Sequence, residues 1–392
     1  MISNPLFVLA VLSLNIAVSE WLARNTPLRH LGSALLVIVL TAVMANIGVI
    51  PVFSADVPVY TGVFDHVAPL AIFLLLLQVN LRGLLRAGVP MVLLFLLGSL
   101  ATMAGVLAGM WVVGGSRAFG ELHHALAGMF VGTYTGGSIN FNAIALEYGV
   151  VKNGPLFAGA AAVDSAMTTV WMVATVALPR VLSKLRPVTK LTPAAGEALR
   201  ESVSETQHAE HDTETVQPFD LAVLLALGAA SVWISGLANE WIRQVIGVNV
   251  PTVLILTTLA LVLAQLEAVQ RLKGTRLCGW LAVMVFLAVI GALCDVAALR
   301  GLEVLGRSLM IFVFVVVLVH GLIVFGLGTL LRVDPAMSAV ASQANIGGST
   351  SALALARSLG RGDLALPGIL VGALGNAVGT YLGFLTAALL SS

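Results

Sequence analysis

Gly132-Thr133-Tyr134-Thr135-Gly136-Gly137-Ser138-Ile139-Asn140-Phe141-Asn142 is a strip of hydroxyl and amide side chains around a Gly-Gly pair, set inside an otherwise apolar chain. Ala341-Ser342-Gln343-Ala344-Asn345-Ile346-Gly347-Gly348-Ser349-Thr350-Ser351 repeats the pattern with its glycine pair 211 residues further on. One such pair in a membrane helix carries little information, because glycine is common there and lets helices approach closely. Two of them at corresponding places in two halves point to broken helices that meet around a ligand.

The correspondence extends beyond the glycines. The same shift takes Gly149 to Gly360, and one residue more takes Pro155 to Pro367, Asp164 to Asn376 and Thr168 to Thr380. Earlier in each half an apolar span ends in polar residues, Gln78 and Asn80 in the first and Asp295 in the second. An ordered series of this kind indicates an internal duplication.

The 392 residues are 59% hydrophobic and 10% charged, and their mean hydropathy is +1.01. Soluble domains carry about 25% charged residues, so the composition calls for lipid. A net charge of +1 offers no basic field for nucleic acid. Cys278 and Cys294 have neither metal-ligand spacing nor a disulfide framework and read as small core residues. The apolar run from Pro5 to Val18 has no positive region before it, which favours a retained first span over a cleaved signal.

A crossing helix needs about 20 mostly apolar residues. By that rule spans fall near 4–22, 31–50, 63–80, 89–113, 122–147 and 154–179, then near 219–238, 249–267, 279–299, 307–331, 335–358 and 364–390. The chain divides into a first transmembrane repeat (1–180), a polar linker (181–217) with Lys184, Arg186, Lys190, Pro187 and Pro193, and a second repeat (218–392). Lys and Arg mark cytoplasmic loops. Arg24, Arg29, Arg82, Arg86, the linker cations, Arg271, Lys273 and Arg276 occupy non-corresponding places in the two halves, the mark of inversion. Six full spans per half would instead set both halves the same way up. Either a crossing near the linker is missed or one stretch does not span, and the expected total is about 11–13. The predicted fold is an all-α polytopic membrane protein of two inverted repeats with crossed broken helices.

Backbone inside the hydrocarbon layer is interrupted only where protein or a water-filled cavity covers the break. Gly136, Gly137, Gly347 and Gly348 supply the conformational freedom. Each break leaves free N–H groups on one half-helix and free carbonyls on the other. Two breaks crossing at mid-membrane would bring these ends together. Thr133, Thr135, Ser138, Asn140 and Asn142 would line the space from one repeat, and Gln343, Asn345, Ser349, Thr350 and Ser351 from the other. The competing reading is that they cap the breaks and join helices, since membrane hydroxyls often bond their own backbone.

Asp164 lies mid-span in Ala160-Ala161-Ala162-Val163-Asp164-Ser165. A central Asp costs roughly 2.5–3.5 kcal/mol on insertion scales, so such residues usually face a cavity. Sodium ligand, proton carrier and hydrogen-bonded structural acid are all open roles. Thr168 follows one turn later, and Asn376 and Thr380 are the uncharged counterparts of Asp164 and Thr168 in the second half. Asp65, His66 and Asp295 stand near span ends, and His320 reads as a packing histidine. His123 and His124 lack neighbours with metal-ligand spacing. Glu147 and Lys152 read as marks of the membrane surface. P-loop, HExxH and GxSxG motifs are absent, which argues against an enzyme and leaves a primary pump without support.

The runs Ala341 to Thr350, Leu366-Pro367-Gly368-Ile369-Leu370-Val371-Gly372 and Gly375-Asn376-Ala377-Val378-Gly379-Thr380-Tyr381-Leu382-Gly383, with Gly132 to Asn140, resemble the YjcL-like bacterial membrane proteins. Ser349 stands where that pattern has proline, and Asn376 where an aromatic is usual. The family is grouped with the cation:proton antiporter and anion transporter superfamily. The resemblance implies crossed broken helices in a mobile core, a scaffold that often dimerises, and elevator-type alternating access in the bacterial inner membrane. It puts Asp164 at the superfamily's ion-coupling position, without the basic partner that some antiporters carry. The expected function is secondary transport of a small polar or anionic organic solute coupled to sodium or protons. The alternative is a cation/proton antiporter with Asp164 as its ion site. The expected partners are the solute, the lipid bilayer and a second copy of the chain, with no nucleic acid and no cofactor beyond a sodium ion.

Overall fold

The computed structural model of the chain describes residues 4–30, 32–52, 57–79, 81–185, 216–248, 250–294 and 302–391. Asn80, Asp295 and the linker from 186 to 215, with Arg186 and Lys190, lie outside the described residues. Among the described residues the fold is all helical, with no strand. The first half holds α1 (Pro5–Asn25), α2 (Gly32–Asn46), α3 (Pro58–Leu76), α4 (Val89–Val113), α5 (His123–Gly136), α6 (Ser138–Glu147) and α7 (Gly154–Leu185). The second holds α8 (Pro218–Ile246), α9 (Thr252–Leu263), α10 (Thr275–Ala292), α11 (Leu302–Leu330), α12 (Pro335–Ser358) and α13 (Ala365–Ser391).

Local chemistry sets these boundaries. The Asn4 side chain accepts from the Leu6 and Phe7 amides, and Pro5 takes the first helical position, where its missing N–H costs nothing. Gly114, at φ 63, ends α4 in the left-handed conformation that helix C-termini favour. Eight helices are long and apolar enough to cross a membrane, and α2 and α9 are shorter apolar helices.

The two glycine-pair stretches are hairpins. Only Gly137 separates α5 from α6, at φ 92 and ψ −176, a conformation that side-chain-bearing residues avoid. The chain doubles back there. A Cβ placed on Gly132 would lie 3.1 Å from the Asn140 Cβ and 2.8 Å from the Ile144 Cδ1. The rings of His124 and Tyr148, at the two open ends, are 5.2 Å apart; a continuous helix would hold them about 36 Å apart. Gly348 makes the same turn in α12, at φ 74 and ψ −172. A Cβ on Gly368 would meet both Val340 (2.7 Å) and Ala352 (3.2 Å), one from each arm. The arms close on an ion pair between Asp334 and Arg361. The crossed broken spans expected near 122–147 and 335–358 are therefore corrected to hairpins that return to the face they came from. One extended glycine between two helices reverses the chain instead of offsetting it.

Without the hairpins each half keeps five apolar helices, α1–α4 and α7 in the first and α8–α11 and α13 in the second, four of them in each half long enough to cross a membrane. Helices at like places in the two halves run antiparallel where they touch. On α4 and α11, Gly98 faces His320, Gly105 faces Val316 and Gly109 faces Phe312. On α3 and α10, Gly279 faces Leu75 while the rings of Phe64 and Phe286 lie 5.8 Å apart. Each hairpin packs on the last helix of the other half, α5 on α13 and α12 on α7. Between α5 and α13, Gly128, Gly132 and Gly136 face Gly383, Gly379 and Gly375. A Cβ on Gly128 would lie 2.7 Å from the Gly383 carbonyl oxygen, and one on Gly379 2.9 Å from that of Gly132. The backbones touch because nothing stands between them.

The helices sort into two bodies. The hairpins, α4, α7, α11 and α13 form one, and α1–α3 with α8–α10 form a framework beside it. The helix ends at one face carry Arg24, Arg82, Arg86, Arg271, Lys273, Arg276, Arg332, Arg357 and Arg361. The opposite face carries Arg117, Lys152 and Arg243.

Candidate functional site at the hairpin tips

The glycine turns bring the starts of the two returning arms to one place. Ser138, Ile139 and Asn142 from α6 and Ser349, Thr350 and Leu353 from the second arm of α12 line a cavity of about 500 Å³. Ile369, Ala373 and Asn376 of α13 complete the hairpin-side wall. Leu75, Gln78, Val79, Arg276, Trp280 and Val283 of the framework form the other. Gln78 and Arg276, both exposed, stand where α3 ends and α10 begins, so the mouth lies at the more basic face. Each returning arm points its N-terminal amides toward this space, the end of a helix that attracts negative charge.

A smaller cavity of about 80 Å³ adjoins it, sharing Ser138, Asn142, Trp280 and Val283 and adding Asp164 and Ser165. Asp164 sits beside Thr133 and Tyr134, with Thr168 near the same phenol. The Asp164 Oδ1 and the Tyr134 hydroxyl are buried next to one another but outside hydrogen-bonding geometry, and neither has another partner. An unpaired carboxylate oxygen in the hydrocarbon layer is costly unless a proton or cation joins it. The oxygens of Asp164, Tyr134 and Thr133 suit a small hard cation or a proton equally well.

The remaining sequence candidates take other places. Asn140 is buried, accepts from the Thr380 hydroxyl at 2.6 Å and donates to the Gly375 carbonyl at 3.4 Å, which fastens the first hairpin to α13. Asn345 accepts from Ser99 at 2.9 Å and donates to the Phe95 and Ala341 carbonyls, each at 3.1 Å. Ser351 donates to the Gly347 carbonyl one turn back. Ser349 lines the cavity while donating to Ile369 O at 3.1 Å. The Gln343 Oε1 accepts from Thr175 at 3.1 Å, leaving its Nε2 and the Thr135 hydroxyl buried without partners. Gly136 and Gly347 pack too closely for a side chain, and Gly137 and Gly348 are the turns. Ser138, Asn142, Ser349, Thr350 and Asn376 thus reach the cavity, Asp164, Thr133 and Thr168 gather beside it, and the others hold the tips.

Sequence reasoning passed over three participants. Arg276 looked like a loop charge, Trp280 was one aromatic among many, and Tyr134 was overlooked inside its own motif. Behind the tips, His320 is completely buried and joins both hairpins. The bonding pattern assigns its proton to Nδ1, which donates to the Gly98 carbonyl at 3.1 Å. Its Nε2 accepts from Ser342 at 2.9 Å, and Ser342 accepts from the Trp171 indole at 3.1 Å. Thr102, 3.0 Å from the same Nδ1, donates to the Tyr134 carbonyl at 3.0 Å.

These features define a multi-pass helical membrane protein with a cavity at the tips of two hairpins, walled on its other side by the framework. Residues 9–392 match the family described as "Protein of unknown function (DUF819)", and the chain belongs to that family. It is similar to "Uncharacterized membrane protein YjcL" of Bacillus subtilis (strain 168), 27% identical over 349 residues that cover 87% of this chain and 85% of that protein.

Proposed function

We propose that the protein is a secondary active transporter that moves a small polar or anionic organic solute, coupled to sodium or protons. The observation that carries this reading is the cavity at the hairpin tips. Its largely apolar wall carries a few convergent polar groups, Ser138, Asn142, Ser349, Thr350 and Asn376, and it is shared between a glycine-bound hairpin body and a separate framework. The solute binds against Ser138, Asn142, Ser349, Thr350 and Asn376, and the coupling ion or proton joins Asp164 in the adjoining cavity. Loading both relieves the unpaired carboxylate and engages the polar groups of the wall, so the two ligands favour each other.

Antiparallel packing of corresponding helices supports inverted repeats, which give such a protein two related conformations that open to opposite faces. In the elevator form of this mechanism the hairpin body shifts against the framework and carries the tips with it. The excess of Lys and Arg at the cavity mouth supports a cytoplasmic position for that face in a bacterial inner membrane. The framework is the natural place for a homodimer contact.

Asp164 also favours a second reading, a cation/proton antiporter in which that carboxylate alternates between proton and sodium and no organic solute moves. One experiment separates the two. The purified protein and Asp164→Asn are melted across sodium concentrations, pH values and a library of small solutes, since ligands that bind the folded state raise its stability. A solute shift that grows with sodium or acid and fades in the variant is the symport result. A cation or pH shift with no solute response is the antiport result. No shift from any ligand in either protein would remove the ion-coupling role of Asp164.

A further inference from the structure

We propose that Arg276 is a specificity residue that selects carboxylate-bearing solutes at one face of the membrane only. This rests on the transport reading above. Among the described residues Arg276 is the sole ionisable side chain on the cavity wall; the polar groups around it, among them Ser138, Ser349, Asn376 and Gln78, are neutral. Its place is locally unfavourable. It lies in the first turn of α10, where a positive charge opposes the helix dipole. Among the described residues no carboxylate pairs with it, so its guanidinium is open to a ligand; what sets it apart from other arginines without an ion pair, such as Arg243 and Arg332, is its place on the cavity wall. A guanidinium offers a planar fork that matches a carboxylate in two parallel hydrogen bonds. An anion in the cavity would find that fork unoccupied and would offset the unfavourable dipole contact.

The side restriction follows from which body carries the residue. Ser138, Ser349 and Asn376 belong to the hairpin body, whereas Arg276 belongs to the framework. The cavity is complete only in the arrangement seen here, with its mouth at the basic face. When the hairpin body moves toward the other face, Ser138, Ser349 and Asn376 travel with the solute and Arg276 stays behind. Arg276 therefore tightens binding at the basic face and contributes nothing at the opposite one. A residue present only to mark the cytoplasmic surface would have no such asymmetry and no preference among solutes.

The test uses the full chain in liposomes, with flux measured separately at each face by blocking the other with a membrane-impermeant reagent. The probes are lactate, succinate and glutamate, with lactamide and succinamide as the carboxylate-free counterparts of lactate and succinate. Wild type is compared with Arg276→Gln and Arg276→Lys, after checking that the variants elute and melt like wild type without solute. The expected result is a rise in KM of tenfold or more for the transported carboxylate at the basic face in Arg276→Gln. A change below twofold is expected at the other face, with Arg276→Lys in between and neither amide carried by wild type. Equal changes at both faces, or none at either, would overturn the assignment. A wild-type protein that carries lactamide as well as lactate, or succinamide as well as succinate, would also overturn it while leaving transport intact. Conversely, a melting shift specific to carboxylates that disappears in Arg276→Gln, with no flux of any probe, would sustain Arg276 as an anion selector and sink the transport reading.

Discussion

The Glu147 carboxylate, at the open end of the first hairpin, accepts the Val253 amide of the framework at 3.1 Å. The residue that read as a surface marker instead caps α9, whose first amides have no partners of their own. It ties the two bodies together at the face opposite the cavity mouth. Replacing it with Ala is expected to cost about 1 kcal/mol and to speed hydrogen exchange at Thr252 and Val253, with Glu147→Gln milder because it keeps an acceptor. Unchanged exchange in the Ala variant would show that the cap is absent in the working protein.

The hairpin form of α12 is open to a direct energetic test. Asp334 and Arg361 form an ion pair although 27 positions separate them. Both are partly buried, so a double-mutant cycle with Asp334→Ala and Arg361→Ala is expected to return a coupling of about 1 kcal/mol. A continuous helix would give additive effects, as sites that far apart do not interact.

His320 has both ring nitrogens bonded, and its removal strands buried groups on two helices. His320→Leu leaves Ser342 and the Gly98 carbonyl without that partner and is expected to destabilise by about 2–3 kcal/mol in melting experiments. Gln restores one bond at most and falls between. A Leu variant as stable as wild type would mean that the network is not closed as described.

Glycine contacts between α5 and α13 divide sharply from glycines elsewhere. A Cβ on Gly379 would sit 2.9 Å from the Gly132 carbonyl oxygen, whereas one on Gly306 meets nothing within 4 Å. Gly379→Ala is expected to cost about 1–3 kcal/mol through forced separation of the helices. Gly306→Ala, just past the first turn of α11 and unobstructed, is expected to gain up to about 1 kcal/mol. Comparable melting of the two variants would refute the close packing.

Much of this architecture was legible in the residues. Hydropathy placed the helices, because twenty apolar residues in a row leave little choice, and the shift that maps Pro155 to Pro367 exposed the duplication. The direction of the chain after Gly137 was not legible. A glycine permits both a kinked crossing and a reversal, and the choice rests on contacts such as those of Gly132 with Ile144, distant in sequence. For the same reason Asn140 and Asn345 looked like ligands. An amide strip at a break suits binding and fastening alike, and only the positions of Thr380 and Ser99 assign these two to fastening. Arg276 was hidden by the rule that made it useful, since a cation at a helix end reads as a marker of the membrane side.

Gly137 also sets the parity of everything downstream. A stretch that turns back returns the chain to the face it left, and α11 then lies antiparallel to α4, with Gly98 opposite His320 and Gly109 opposite Phe312. Had the chain passed straight through at that residue, α11 would run parallel to α4 and the second hairpin would rise from the same side as the first. The conformation of a single residue thus sets the direction of the helices that follow it.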